Sequence, residues 1–286
     1  MTRTIWIGLV ELCISLALCG PMQAAEATTK ARHQFRVFDA TLYMNKPDLS
    51  KLGIDKIPVI YSGVLWDRNE SRVDLPREDR VAAISREISS SDPNKPAVID
   101  IEHWPWVEHK GDVSLGMKKF ITVLEWFKKY APSLSFGYYA VPPVPDFDSG
   151  YADKTTERFY RWQKQNNQLA QLAHASQVLF PSLYSFSPNR EHWIKSAAAH
   201  IQEARRYGTE VPVFVFLWPQ YHEITRGHAL EFIDREFWRI QLETAMKHAD
   251  GIVIWGGWDI KKNKAMLWDD NAPWWLETRS FLSSMP

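Results

Sequence analysis

The sequence predicts an α/β chain folded as a single irregular, TIM-like (β/α) barrel with about seven parallel strands. Three observations carry this. Apolar runs rich in Val, Ile, Phe and Tyr recur about every 35 to 40 residues. Amphipathic patterns at spacings of three and four lie between most of them. No linker or low-complexity tract divides the 286 residues, a length that suits one barrel of about 250 residues behind a leader.

Taken in order, the leader comes first. Arg3 precedes an apolar run from Ile5 to Cys19, Gly20-Pro21 breaks it, and the small residues Ala24, Ala25 and Ala27 follow. A charged start, a short apolar stretch and a small-residue cleavage zone describe an export signal over residues 1–25, leaving 26–286 as one catalytic domain. The run falls short of the roughly 20 residues of a membrane span. No later segment reaches that length, so the mature chain is expected to have no transmembrane anchor and to be periplasmic or secreted. The expected strands are Phe35–Ala40, Ile57–Trp66, Ala97–Trp104, Leu134–Val141, Val178–Phe186, Val211–Trp218 and Ile252–Trp258. The expected helices are Arg77–Ser89, Leu115–Tyr130, Thr155–Ala175, Glu191–Tyr207, His228–His248 and a closing Trp274–Ser284. Strand and helix in alternation favour a parallel sheet. The first strand is not followed by Gly-x-Gly-x-x-Gly, which weakens a doubly wound dinucleotide fold.

Composition narrows the function. The 34 basic and 34 acidic residues balance, so nucleic acid is not an expected partner. Both cysteines, Cys13 and Cys19, lie inside the leader, so an exported chain would depend on its core and not on disulfides. The nine histidines form no His-Glu-x-x-His motif, and no Gly-x-Ser-x-Gly elbow occurs. Neither a metal nor another cofactor is expected.

In a β/α barrel the working residues sit at the C-terminal ends of the strands. Side chains alternate along a strand, which puts Ala97, Ile99 and Ile101 on one face and Val98, Asp100, Glu102 and Trp104 on the other. Two carboxylates then point into the barrel, with Trp104 at the rim. Unpaired buried charge is costly, and the later strands offer no Lys or Arg to neutralise it. The pair therefore reads as a working acid and its partner. Tyr139, Tyr184, Trp218 and Trp255 stand at other strand ends. Aromatic rings that stack on sugar faces around two carboxyls suit glycoside cleavage.

The order of motifs resembles the hyaluronidase family of glycoside hydrolases. Asp100-Ile101-Glu102-His103-Trp104 is similar to its Asp-x-Glu-x-Trp strand. Phe136-Gly137-Tyr138-Tyr139-Ala140-Val141-Pro142, Pro181-Ser182-Leu183-Tyr184 and Gly251-Ile252-Val253-Ile254-Trp255 are similar to three further elements in the same order. The resemblance, to a disulfide-free bacterial-type relative, implies an irregular barrel and a retaining endo-hydrolase of β-linked N-acetylhexosamine polysaccharide. It implies Glu102 as acid/base, Asp100 and Tyr184 as holders of the substrate acetamido group, Trp255 as a wall of that site and Tyr139 as a further site residue. The animal members carry an Arg soon after this Trp; here Pro105 follows Trp104, which weakens hyaluronan itself as the substrate. Arg190, opening a helix after Tyr184, is the candidate to meet a glycan carboxylate. The alternatives are a glycan-binding barrel without catalysis and a hydrolase of another bacterial glycan.

Overall fold

The computed structural model describes residues 34–89 and 95–285; the expected leader and its cleavage zone lie outside them. The parallel strands are β1 (Arg36–Thr41), β2 (Ile54–Lys56), β3 (Val59–Tyr61), β4 (Pro96–Asp100), β5 (Ser135–Tyr138), β6 (Phe214–Leu217) and β7 (Gly251–Gly256). Their hydrogen bonds close a ring. β1 pairs with β2, and at Ile57-Pro58 the chain changes partner. Ile57 N–H still donates to Asp39 O, whereas Pro58 O accepts from Val98 N–H of β4. β3 then pairs with β4 and β4 with β5. Residues 178–185 bridge β5 to β6 through isolated parallel contacts at Tyr139↔Phe180, Leu179↔Val213 and Ser182↔Phe216. β6 pairs with β7, and β7 returns to β1 over six residues.

The 178–185 staves make bridges and not a full ladder because Pro181 has no N–H to give; its carbonyl still accepts from Phe216 N–H at 2.8 Å. Gly137 lets this segment approach β5, since a Cβ there would lie 2.0 Å from Val178 O.

Inside the ring lie Phe38, Ala40, Ile57, Val98, Phe180, Phe214, Phe216 and Val253. Outside it, two apolar layers hold the helices. Ala97, Ile99 and Ile101 pack on Phe120, Val123, Leu124 and Phe127 of α3 (Val113–Tyr130). On the other side Ile252, Ile254 and Val215 meet α6 (Arg190–Arg206), α7 (Arg235–His248) and α8 (Pro273–Ser284). The alternation expected along the third run is thus seen at Val98 against Ala97 and Ile99.

Boundaries differ from the sequence reading where a side chain or a proline competes. The second run ends at Tyr61, and Ser62–Leu65 forms a helical turn, α1. The third run ends at Asp100. Helix α2 (Glu78–Ser89) matches its expectation within a residue. The expected helix over 155–175 divides into α4 (Glu157–Gln168) and α5 (Ala170–Ala175). At the break Asn166 O accepts from Leu169 N–H at 3.1 Å in a tightened turn and from Tyr207 Oη at 2.9 Å. α7 starts at Arg235 and not near 228, because Asp234 caps it by accepting from Phe237 N–H at 2.9 Å. The preceding residues turn back instead: Tyr221 N–H donates to Glu231 O and Leu230 N–H to Tyr221 O.

Candidate active site

The C-terminal ends of the staves converge on one mouth. Asp100 closes β4, and in the parallel register it sits beside Tyr61 of β3. Tyr61 Oη accepts from Trp255 Nε1 at 3.0 Å, which ties the end of β3 to the end of β7. The Trp255 ring stacks on Tyr184 (5.9 Å between centroids, 29° between planes) and meets Trp218 edge-on at 5.0 Å. Trp218 in turn stands edge-on to Tyr184 at 5.4 Å, and its Nε1 donates to Gln220 Oε1 at 3.1 Å. Tyr139 completes the cup. Its ring lies 6.0 Å from that of Tyr184, and its hydroxyl shares a hydrogen bond with Ser182 Oγ at 3.2 Å. Gly257, at φ 77°, lets the chain leave β7 closely past Tyr43.

The two carboxyls are chemically unusual. No described residue donates a hydrogen bond or an ion pair to either of them, although Asp100 is largely enclosed. Burial first, and then the charge of Glu102, push the Asp100 carboxyl up to about 7. Burial among the mouth residues also raises Glu102, which solvent reaches, and the Lys110 ammonium opposes that rise. Burial raises the phenols of Tyr61, Tyr139 and Tyr184. All three therefore stay protonated at neutral pH and are available as donors. The site offers two coupled carboxyls, neutral phenols and a wall of indoles, an arrangement able to move a proton beside a polar, flat-faced ligand.

Five of the residues singled out from sequence meet here: Asp100, Glu102, Tyr139, Tyr184 and Trp255. Two do not. Trp104 is 1% exposed and lies in the outer layer, edge-on to Trp66 and Phe120, with Nε1 donating to Arg72 O at 2.9 Å. Once β4 ends at Asp100, strand alternation no longer governs residue 104, and the turn sends the indole toward α3. Arg190 is committed elsewhere, to Glu236 at 2.6 Å and Asp234 at 2.9 Å, clipping the start of α6 to the start of α7. The structure adds Tyr61, Gln220 and Lys110 and brings in Ser182 and Trp218. Ser182 and Trp218 were visible as strand-end residues. Tyr61 was hidden by extending its run to Trp66.

The hyaluronidase family model matches residues 114–269, more than half of the chain. The chain belongs to the hyaluronidase family of glycoside hydrolases. The matched stretch of this hyaluronidase-family chain contains Tyr139, Tyr184 and Trp255 and begins after Asp100 and Glu102. Among solved structures, bee venom hyaluronidase in complex with a hyaluronic acid tetramer superposes with a TM-score of 0.60 at 16% identity, covering 88% of this chain and 97% of that one. A second structure of bee venom hyaluronidase gives 0.59 at 17% identity, covering 87% and 97%. A Cellulomonas fimi endo-beta-1,4-mannanase double mutant gives 0.50 at 10% identity, covering 82% of this chain and 55% of that one. These likenesses establish the barrel fold. No curated protein matches the sequence.

Proposed function

We propose that this chain is an exported glycosidase that cleaves a β-linked N-acetylhexosamine polysaccharide of hyaluronan type by a retaining, substrate-assisted route. The observation that carries the reading is the pair Asp100 and Glu102, neither paired with a cation among the described residues, both raised by burial and Asp100 also by the charge of Glu102, at the mouth of an aromatic cup. Family membership and the hyaluronic acid bound to the bee venom relative support the substrate class. Export rests on the residues before 34, read as a leader.

Glu102, open to solvent, is the carboxyl placed to protonate the glycosidic oxygen. Asp100 lies deeper and is poorly placed to attack the anomeric carbon. An acetamido N–H donating to Asp100 favours its ionised form, which leaves the pair's proton on Glu102, where the leaving group needs it. The acetamido oxygen then attacks the anomeric carbon as the glycosidic bond breaks. Asp100 balances the charge that develops on the cyclised group. Tyr184 donates a hydrogen bond to the acetamido group, and Trp255 packs its methyl and excludes water. Glu102, now a carboxylate, takes a proton from water as that water opens the ring from the other face, and two inversions give net retention.

The test is a pair of isosteric variants. Glu102→Gln should lower kcat by at least ~10²-fold, the usual scale for losing a general acid. Asp100→Asn should lower kcat with KM little changed. Full activity in Glu102→Gln on an N-acetylhexosamine polymer would refute the assignment.

A further inference from the structure

The cations around the mouth are mostly neutralised. Lys46 pairs with Asp39 at 2.5 Å, Arg190 with Asp234 and Glu236, and Lys262 with Asp259 at 3.3 Å. Lys110 differs. It ends the 3-10 turn Glu108–Lys110 in the loop that follows β4, and solvent reaches it. Among the described residues no carboxylate lies within ion-pair distance of its ammonium, and nothing accepts a hydrogen bond from it. Its Nζ is instead seated 4.1 Å over the half-buried Trp106 ring. From there its charge and that of Glu102 act on each other. Gly111, at φ 130°, lets the turn close against Pro105, 3.4 Å from where a Cβ would stand. The loop thus folds its own cation back beside the acid.

We propose that Lys110, seated over Trp106 beside Glu102, is a specificity-determining residue that takes the carboxylate of an acidic sugar adjoining the N-acetylhexosamine at the cleavage point. The inference rests on the glycosidase reading above and names the side chain that would read the substrate's carboxylate. An ammonium that lacks a carboxylate partner among the described residues and keeps its N–H donors free gains from an anion supplied by the ligand. The Trp106 ring holds the ammonium in place while leaving its N–H donors free. A neutral sugar at this position leaves Lys110 unmatched next to Glu102.

Hyaluronan oligosaccharides and their carboxyl-reduced counterparts share every linkage and differ only in the carboxylate, so they are the probes. Cleavage is measured with the unsubstituted protein, Lys110→Ala and Lys110→Arg. Binding is measured by calorimetry in the Glu102→Gln background, where hydrolysis is slowed. We expect Lys110→Ala to raise KM for the acidic oligosaccharide about tenfold, to raise that for the carboxyl-reduced one several-fold less, and Lys110→Arg to restore most of the loss. Equal use of both oligosaccharides, or equal loss on both in Lys110→Ala, would overturn the role of Lys110 while leaving the glycosidase reading standing. Lys110-dependent binding of the acidic form without any cleavage would leave Lys110 standing and remove the glycosidase reading. Absence of both binding and cleavage would overturn both.

Discussion

At the scale of single residues, function and stability pull in opposite directions at Asp100. Its carboxyl titrates near 7 in the folded chain, because burial and Glu102 disfavour the charge, and near 4 once unfolded. The unfolded state therefore releases its proton first as pH rises, and the folded state loses relative stability between about pH 4 and pH 7. Below that window the carboxyl is protonated in both states and costs nothing. Asp100→Asn removes the penalty. The variant should be more stable than the unsubstituted protein by at most about 4 kcal/mol at pH 8, and the gain should shrink to about 1 kcal/mol near pH 4.5. Urea unfolding at the two pH values measures it; a difference that does not change with pH would show that Asp100 is not held neutral by its surroundings. Trp104 makes the contrasting case. It lies in the layer under α3, so Trp104→Ala should cost roughly 3–5 kcal/mol of stability with KM for glycan unchanged in the folded fraction. A raised KM at full stability would return Trp104 to the mouth.

At the scale of elements, what was legible in the sequence depended on whether a local pattern met competition. The β4 run read correctly through Asp100 because Val98 against Ala97 and Ile99 follows the strand period. It read wrongly at Trp104 because periodicity carries no mark for where a strand stops. The helix expected over 155–175 is apolar in the right places throughout. At its break the Asn166 carbonyl takes a second hydrogen bond from Tyr207, far along the chain, a contact that no local window contains. The early start assigned to α7 passed over Asp234, whose capping carboxylate was present in the sequence as a stop signal. Arg190 was correctly placed at a helix start, but its partners Asp234 and Glu236 come from a different helix. That pair of contacts is exposed, so Arg190→Ala should leave the melting temperature nearly unchanged and should leave glycan KM unchanged. A severalfold rise in KM would return Arg190 to the groove.

At the scale of the whole molecule, the ring of staves explains why residues far apart in sequence share one site. Tyr61, Asp100, Tyr139, Tyr184, Trp218 and Trp255 each stand at or just past a strand's C-terminal end, and parallel pairing brings those ends together. Five of the seven site residues assigned from sequence meet there because they lie at strand ends; Tyr61 and Lys110 needed the fold. The ring is filled by apolar side chains and sheathed by helices on both sides, which is the stability a chain without cysteines after residue 19 requires. If residues 1–25 are removed as proposed, reducing agent should leave the melting temperature unchanged. A clear drop in dithiothreitol would show that Cys13 and Cys19 stay with the mature chain.

The central claim is that Glu102 acts as the acid while the substrate's own acetamido group, held by Asp100, attacks the anomeric carbon. The most direct measurement is mass analysis of products and of the protein itself after incubation with hyaluronan fragments and with the same fragments de-N-acetylated. The account predicts cleavage of the acetylated fragments alone and no sugar attached to the protein. Equal cleavage of both, or a glycosyl ester on Asp100, would contradict it and make Asp100 the nucleophile.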